Sequence, residues 1–179
     1  MAREGDESSI WTRQFLGFVG VGLVVAAIGV GFLLVGTRKA HLTLDGKIQK
    51  VRIQATDDNS AVVILDYRLT NPSNVQFVVK QVDVLFKDND GSELEGTVAA
   101  DVDAKRVLEY YTALGPKYNK SLVVKDTVAP NQTGDWMTMV SFPLPEARLS
   151  ARKNLILRIT DLDGAVIEIP EKLLVNNAH

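Results

Sequence analysis

The sequence contains no cysteine, and only two of its 179 residues are histidine. Without cysteine there are no disulfides, no thiolate metal sites and no sulfur nucleophile. The histidines are His41, just past an apolar run, and His179, the last residue. That leaves no material for a histidine-based triad or a multi-histidine metal site. Charge of one sign is missing too: 20 Lys and Arg face 22 Asp and Glu, for a formal net charge of −2. So balanced a chain has no global field for capturing a polyanion, which argues against nucleic acid as a partner.

The longest charge-free stretch runs from Phe15 to Gly36, 22 residues without a strongly polar side chain. At about 1.5 Å per helical residue it matches a hydrocarbon core of about 30 Å. Arg13 closes one end and Arg38-Lys39 the other. A cleaved signal peptide is the competing reading, but its apolar core is only ~7–15 residues and ends at a small-residue cleavage site. A retained transmembrane helix over 14–37 is expected, after a polar head at 1–13. Six glycines lie in the run. Gly22, Ala26, Gly29 and Gly36 share one helical stripe, and Gly20, Ala27 and Gly31 form a second beside it. Small residues let helix backbones approach in lipid, so the first stripe is a candidate packing face for a membrane-protein partner. Glycine is also commoner in membrane helices generally. Trp11, just before the run, suits the interfacial aromatic belt. Arg3 and Arg13 precede the helix, while Arg38, Lys39, Lys47, Lys50 and Arg52 follow it. The Lys/Arg count favours the cytoplasmic face for the following domain, yet an uncleaved anchor often exports such a domain, and long domains cross largely regardless of charge.

After a linker at 38–47 the pattern turns to short β runs, expected to form one domain over 48–172 with a tail at 173–179. Val51, Ile53 and Ala55 alternate, as do Val63, Leu65, Tyr67 and Leu69, with Asp66, Arg68 and Thr70 facing away. Period two with one wet face marks an antiparallel sheet over a core. The next run starts on Val75, Phe77 and Val79, then changes phase to Val82, Val84 and Phe86, which requires a bulge or a strand changing sheets. Asp90-Gly91 and Asp163-Gly164 are hairpin signals. One segment departs from period two. Ala104, Val107, Leu108, Tyr111 and Leu114 recur at helical spacing, with Asp103 placed to cap and Gly115-Pro116 to stop. The expected fold is mainly β: an antiparallel sandwich with one inserted helix, preceded by a single transmembrane helix.

The stretch "LDYRLTNPSNVQFVVKQVDVLF", with Asn71-Pro72 ending one β run and Val75 starting the next, resembles the water-stress and hypersensitive-response (WHy) domain. That domain belongs to the atypical, folded late-embryogenesis-abundant proteins of group 2. "LFKDNDGSELEGTV" resembles its following hairpin, and "TVAPNQTGDWMTMVSF" a later loop and strand. The resemblance spans Ile48–Val98 and, more loosely, Leu122–Ile169; the inserted helix departs from the family pattern. It implies an immunoglobulin or fibronectin-type sandwich with no catalytic residues, and a role in desiccation or stress protection or in membrane-anchored defence.

Other constellations are weighed against plainer roles. Asp57-Asp58, Asp88/Asp90, Asp101/Asp103 and Asp161/Asp163 pair carboxylates, but "DNDG" and "DLDG" lack the distal glutamate of a calcium loop and sit where hairpins need Asp-Gly. Glycines in "GFVGVG" have no preceding strand and no following lysine, so they form no phosphate loop. Trp136 reads as core or rim. Tyr110 and Tyr118 are candidate partner contacts, since exposed aromatics mark interfaces. "NKS" at Asn119 and "NQT" at Asn131 match glycosylation acceptors. No catalytic, cofactor-binding or metal residues and no small-molecule substrate are assigned. The expected function is non-enzymatic: a single-pass, membrane-anchored interaction or accessory subunit of a larger membrane complex. The alternative is a stress-protection protein of the WHy type acting alone at the membrane surface.

Overall fold

A computed structural model describes residues 18–31 and 43–172. The two stretches belong to separate compact units. The first is helical throughout 18–31 (α1). The rest of the expected 14–37 span, with Trp11 and Gly36, lies outside the described residues. Among the described residues no helix is long and apolar enough to cross a membrane.

The second unit is a β-sandwich with ten strands: β1 (Asp45–Asp57), β2 (Ser60–Thr70), β3 (Phe77–Lys87), β4 (Glu93–Glu95), β5 (Thr97–Val98), β6 (Lys120–Ser121), β7 (Thr127–Val128), β8 (Thr133–Phe142), β9 (Asn154–Asp161) and β10 (Val166–Pro170). Its helices are α2 (Asp101–Tyr110) and α3 (Glu146–Ser150), with a 3₁₀ turn at Thr112–Leu114. One sheet runs β1-β2-β8-β5, with β6 pairing β8; the other runs β10-β9-β3-β4, with β7 pairing the start of β3. All pairings are antiparallel except β6 with β8. Strand β1 begins at Asp45, inside the expected linker.

The core lies between the sheets. Val63, Leu65, Tyr67 and Leu69 of β2 point inward and are fully buried, against Val79, Val84 and Phe86 of β3 and Leu157 and Ile159 of β9. The phase change along β3 is a bulge: Val79 pairs with Asp161 and Gln81 with Thr160, leaving Lys80 as the extra residue. It swings Val82 back to the inner face, so Val79 and Val82 both reach the core although three residues apart. A second bulge, at Gln49, lets Ile48 and Val51 do the same in β1. Gly91 and Gly164, at φ of 89° and 88°, take the left-handed positions in the β3–β4 and β9–β10 turns.

Two expectations need correction. The outer face of β2 is wet at Arg68, but not before it, and Asp66 is buried. Val62, Ile64, Met137 and Met139 form a second apolar layer beneath Ala104, Leu108 and Leu114, so the inserted helix lies over this face. And Asp103 does not cap α2: the cap position is Ala100, with no side-chain hydrogen bond. The α-helix ends at Tyr110, and Leu114 joins its face from the 3₁₀ turn.

Strands β2 and β3 belong to different sheets, so Asn71-Pro72-Ser73-Asn74 is a crossing and not a hairpin. Asn71, only 1% exposed, organises it. Its amide Nδ2 donates to Val75 O (2.8 Å) and Val128 O (3.0 Å), while Oδ1 accepts from Ser73 N (3.0 Å) and Ser73 Oγ (2.7 Å). Its backbone N–H donates to Gln132 O at 2.9 Å. Proline at 72 biases Asn71 away from helix and cannot continue a ladder. Replacing Asn71 with Ala takes the side-chain partner from Val128 O and Ser73 N, while Val75 O keeps the Ser73 hydroxyl, and should cost about 2–4 kcal/mol. Urea unfolding should then show a lower midpoint with an unchanged m-value, and a midpoint equal to wild type would refute the assigned role.

Candidate interaction surface

A closed ion pair fixes the outer face of the first sheet. Arg52 on β1 and Asp66 on β2 lie on neighbouring strands, with side chains only 6% and 5% exposed. Nη2 of Arg52 stands 2.8 Å from Oδ2 of Asp66, without good hydrogen-bond alignment, so the contact is chiefly one of charge on charge. The aligned bonds go elsewhere. Arg52 Nη1 donates to Leu114 O (2.8 Å) and Pro116 O (3.0 Å), and Asn119 Nδ2 donates to Asp66 Oδ1 (3.0 Å). The pair therefore fastens the strap that follows α2, between residues 111 and 121, down onto β1 and β2. Asp101, at the start of α2, receives Lys117 from the same strap, and this hydrogen bond holds its carboxyl below the usual carboxylate range.

This latch sets the position of Tyr118. Its ring is 58% exposed. It lies 5.1 Å from the Arg52 guanidinium carbon and 5.3 Å from Lys50 Nζ, within cation–π range of both. Tyr110, 80% exposed, packs edge-on against Tyr111 with ring centroids 4.8 Å apart. The two candidate contact residues thus have different neighbours. Trp136 is partly buried against the core with Lys120 Nζ 4.9 Å from its ring. Gly22, Ala26 and Gly29 lie in α1, where a Cβ added at Gly22 or Gly29 would meet nothing within 4 Å.

The paired carboxylates are engaged locally. Asp161 accepts from Val78 N (2.7 Å) and Asp163 N (3.0 Å), which ties the β9–β10 turn to β3. Asp90 accepts from Ser92 N at 2.8 Å, and Asp88 from Asn89 N at 2.7 Å and Arg148 Nε at 2.8 Å. Among the described residues no group of three or more His, Asp or Glu could hold a metal ion. Sequence reasoning missed Arg52, Asp66 and Asn119. Alternation assigned Arg52 and Asp66 to a wet face; the available signal was two opposite charges flanking strongly apolar stretches of consecutive strands.

No protein-family model and no curated protein matches the sequence. Solved structures with similar folds include an uncharacterised β-sandwich protein from Clostridium difficile 630, at 10% identity and TM-score 0.40, covering 72% of this chain and 85% of that one. The archaellum periplasmic stator protein FlaG from Sulfolobus acidocaldarius aligns at 13% identity and TM-score 0.35, covering 72% of this chain and 99% of that one. The putative ApaA protein from Bordetella pertussis aligns at 15% identity and TM-score 0.35, covering 73% and 89%. Likeness at this level assigns neither family nor function.

Truncating either member of the buried pair, as Arg52→Ala or Asp66→Ala, should cost about 3–5 kcal/mol, because it leaves the other charge buried alone. Arg52→Met with Asp66→Leu should recover most of that loss; a double-mutant cycle by urea unfolding measures the coupling, and additive losses would rule the pair out. The Asp101 carboxyl is depressed by folding, so its contribution is complete above the usual carboxylate range and is lost as pH falls through its lower folded value. Amide exchange in the first turn of α2 should accelerate as pH drops in that window, after correction for intrinsic rates. Lys117→Met should shift that acceleration to higher pH, and an unshifted profile would dissociate Asp101 from the strap.

Proposed function

We propose that the chain is a non-catalytic, single-pass membrane protein whose β-sandwich serves as an interaction or stabilising subunit of a larger membrane complex. One observation carries this reading. Every side chain of α1 is apolar or absent across residues 18–31, and nearly all are exposed, among them Phe18 at 79%, Leu23 at 67% and Val25 at 63%. A helix apolar on all sides must be covered by lipid or by protein. The charge-free run extends on both sides of residues 18–31 to 22 residues, a length that fits a bilayer core. Gly22, Ala26, Gly29 and Gly36 would provide the face that meets a partner helix. The Lys/Arg count favours the cytoplasmic face for the sandwich, against the tendency of an uncleaved anchor to export the domain that follows it. In support of a binding role over a catalytic one, Asp88, Asp90 and Asp161 accept hydrogen bonds within turns and Asp101 is engaged by the strap.

A second reading, stress protection of the WHy type by the chain acting alone, is favoured by the Asn71-Pro72 crossing, where the resemblance is carried. The two part on stoichiometry. The full chain, extracted in mild detergent from its own membranes, should resist an alkaline carbonate wash beforehand and migrate on native gels in a stoichiometric complex. Gly22→Leu with Gly29→Leu should reduce that complex several-fold while leaving membrane insertion intact. A monomer without partners would sink the accessory-subunit reading and leave the stress-protection one; release by carbonate would sink the anchor.

A further inference from the structure

Residues 100–119 leave the sandwich and return to it at nearly the same place. Ala99 N donates to Met139 O at 2.9 Å, and Leu122 N donates to Met137 O at 3.0 Å. The two acceptors are two residues apart on β8, about 7 Å along a strand. Between these fixed ends lie α2, the 3₁₀ turn and the strap. Among the described residues the segment joins no sheet ladder: β5 ends its pairing with β8 at Val98, and β6 begins its own at Lys120. The N–H groups of Ala104, Tyr111, Leu114 and Gly115 donate to the carbonyls of Ala100, Val107, Tyr111 and Thr112, all inside the segment. Lys117 and Asp101 likewise close on each other. Its attachment to the sheet is made by side chains alone. Ala104, Leu108 and Leu114 rest on the outer layer of β2 and β8, Tyr118 lies beside Lys50 and Arg52, and Arg52 and Asp66 take Leu114 O, Pro116 O and Asn119.

The apolar layer under this segment shares no residue with the core between the sheets. Beneath it the β2–β8 ladder runs unbroken from Ala61 opposite Phe142 to Thr70 opposite Thr133. Lifting the segment therefore breaks no ladder and opens no part of the inner core. A unit with few buried contacts and no ladder of its own opens at a lower free energy than the domain unfolds. We propose that residues 100–119 are a lid that opens as one unit about Ala99 and Leu122 while the sandwich stays folded, with Arg52, Asp66 and Asn119 as its latch. The latch is suited to release. With the lid closed, Arg52 Nε and Nη2 and Asp66 Oδ2 have no aligned hydrogen-bond partner, and water supplies one on opening. Arg52 and Asp66 sit on neighbouring strands and stay together, so opening leaves neither charge alone. What opens is an apolar strip of Val62, Ile64, Met137 and Met139, whose two methionines are adaptable side chains. The lid is a property of the domain and depends neither on the anchor nor on the identity of a partner.

The chain has no cysteine, so a single introduced thiol reports its own exposure. Val62 lies under the lid and its neighbour Val63 in the inner core, both buried. In the full chain in nanodiscs, Val62→Cys should react with a thiol reagent at least tenfold faster than Val63→Cys. Its rate should depend only weakly on low urea, whereas the Val63→Cys rate should rise with the full slope of global unfolding. Asn119→Ala removes one latch bond and should speed the labelling of Val62→Cys several-fold. Amide exchange in the unsubstituted chain gives the same reading without a variant: the α2 amides should share one opening equilibrium, with a weak urea slope, well ahead of those in β2 and β8. Equal rates and slopes at the two thiols, α2 amides that exchange only with β2 and β8, or α2 amides that exchange one by one ahead of thiol labelling would overturn the lid. An unchanged Val62→Cys rate in Asn119→Ala would overturn the latch.

Discussion

Strand β2 has no solvent-facing side between Ala61 and Tyr67, and the rest of the domain is arranged around covering it. The inner face meets the second sheet. The outer face, with Val62 and Ile64, needs a lid, and the chain supplies one only after passing through β3, β4 and β5. That lid, α2, is 10 residues long and has no side-chain N-cap, so it would be marginal in isolation. Its stability comes from the apolar face of Ala104 and Leu108 and from the strap behind it. Asp66 falls where the apolar layer ends. A carboxylate buried there without a cation would be costly, and Arg52 on the adjoining strand both neutralises it and collects two carbonyls of the strap. Burial of β2 thus dictates the helix, the ion pair and the exposed placement of Tyr118 together.

Local chemistry was legible in the sequence, and covering relations were not. The change of phase between Val79 and Val82 was plain in the sequence and allowed a bulge or a strand changing sheets, and the structure takes the bulge. The Asp-Gly turns were equally plain, since each depends on residues within four positions of itself, and so was the Asn-Pro break, although Asn71 also bonds to Val128 and Gln132 far along the chain. The run "AVVILDY" was different. Alternation selected Val63, Leu65 and Tyr67 as inward, and nothing nearby said that Val62 and Ile64 would be roofed by residues some forty positions later. Asp103 was a reasonable cap by spacing, yet the helix begins two residues earlier and its start is held from the strap by Lys117.

Sheet edges are closed by side chains and bulges in this domain. Strand β1 is 13 residues long and lies at the edge of its sheet, a form that invites unwanted pairing. Here it carries two register shifts and the lysines 47 and 50, and Glu146 of α3 accepts from Ala55 N at 2.9 Å. Asn71 and Asp161 close backbone groups in the same manner at the rim. The apolar surface of α1 at residues 18–31 is a different case, since it finds no cover within its own helix, and it is the requirement that the proposed lipid or partner helix would meet.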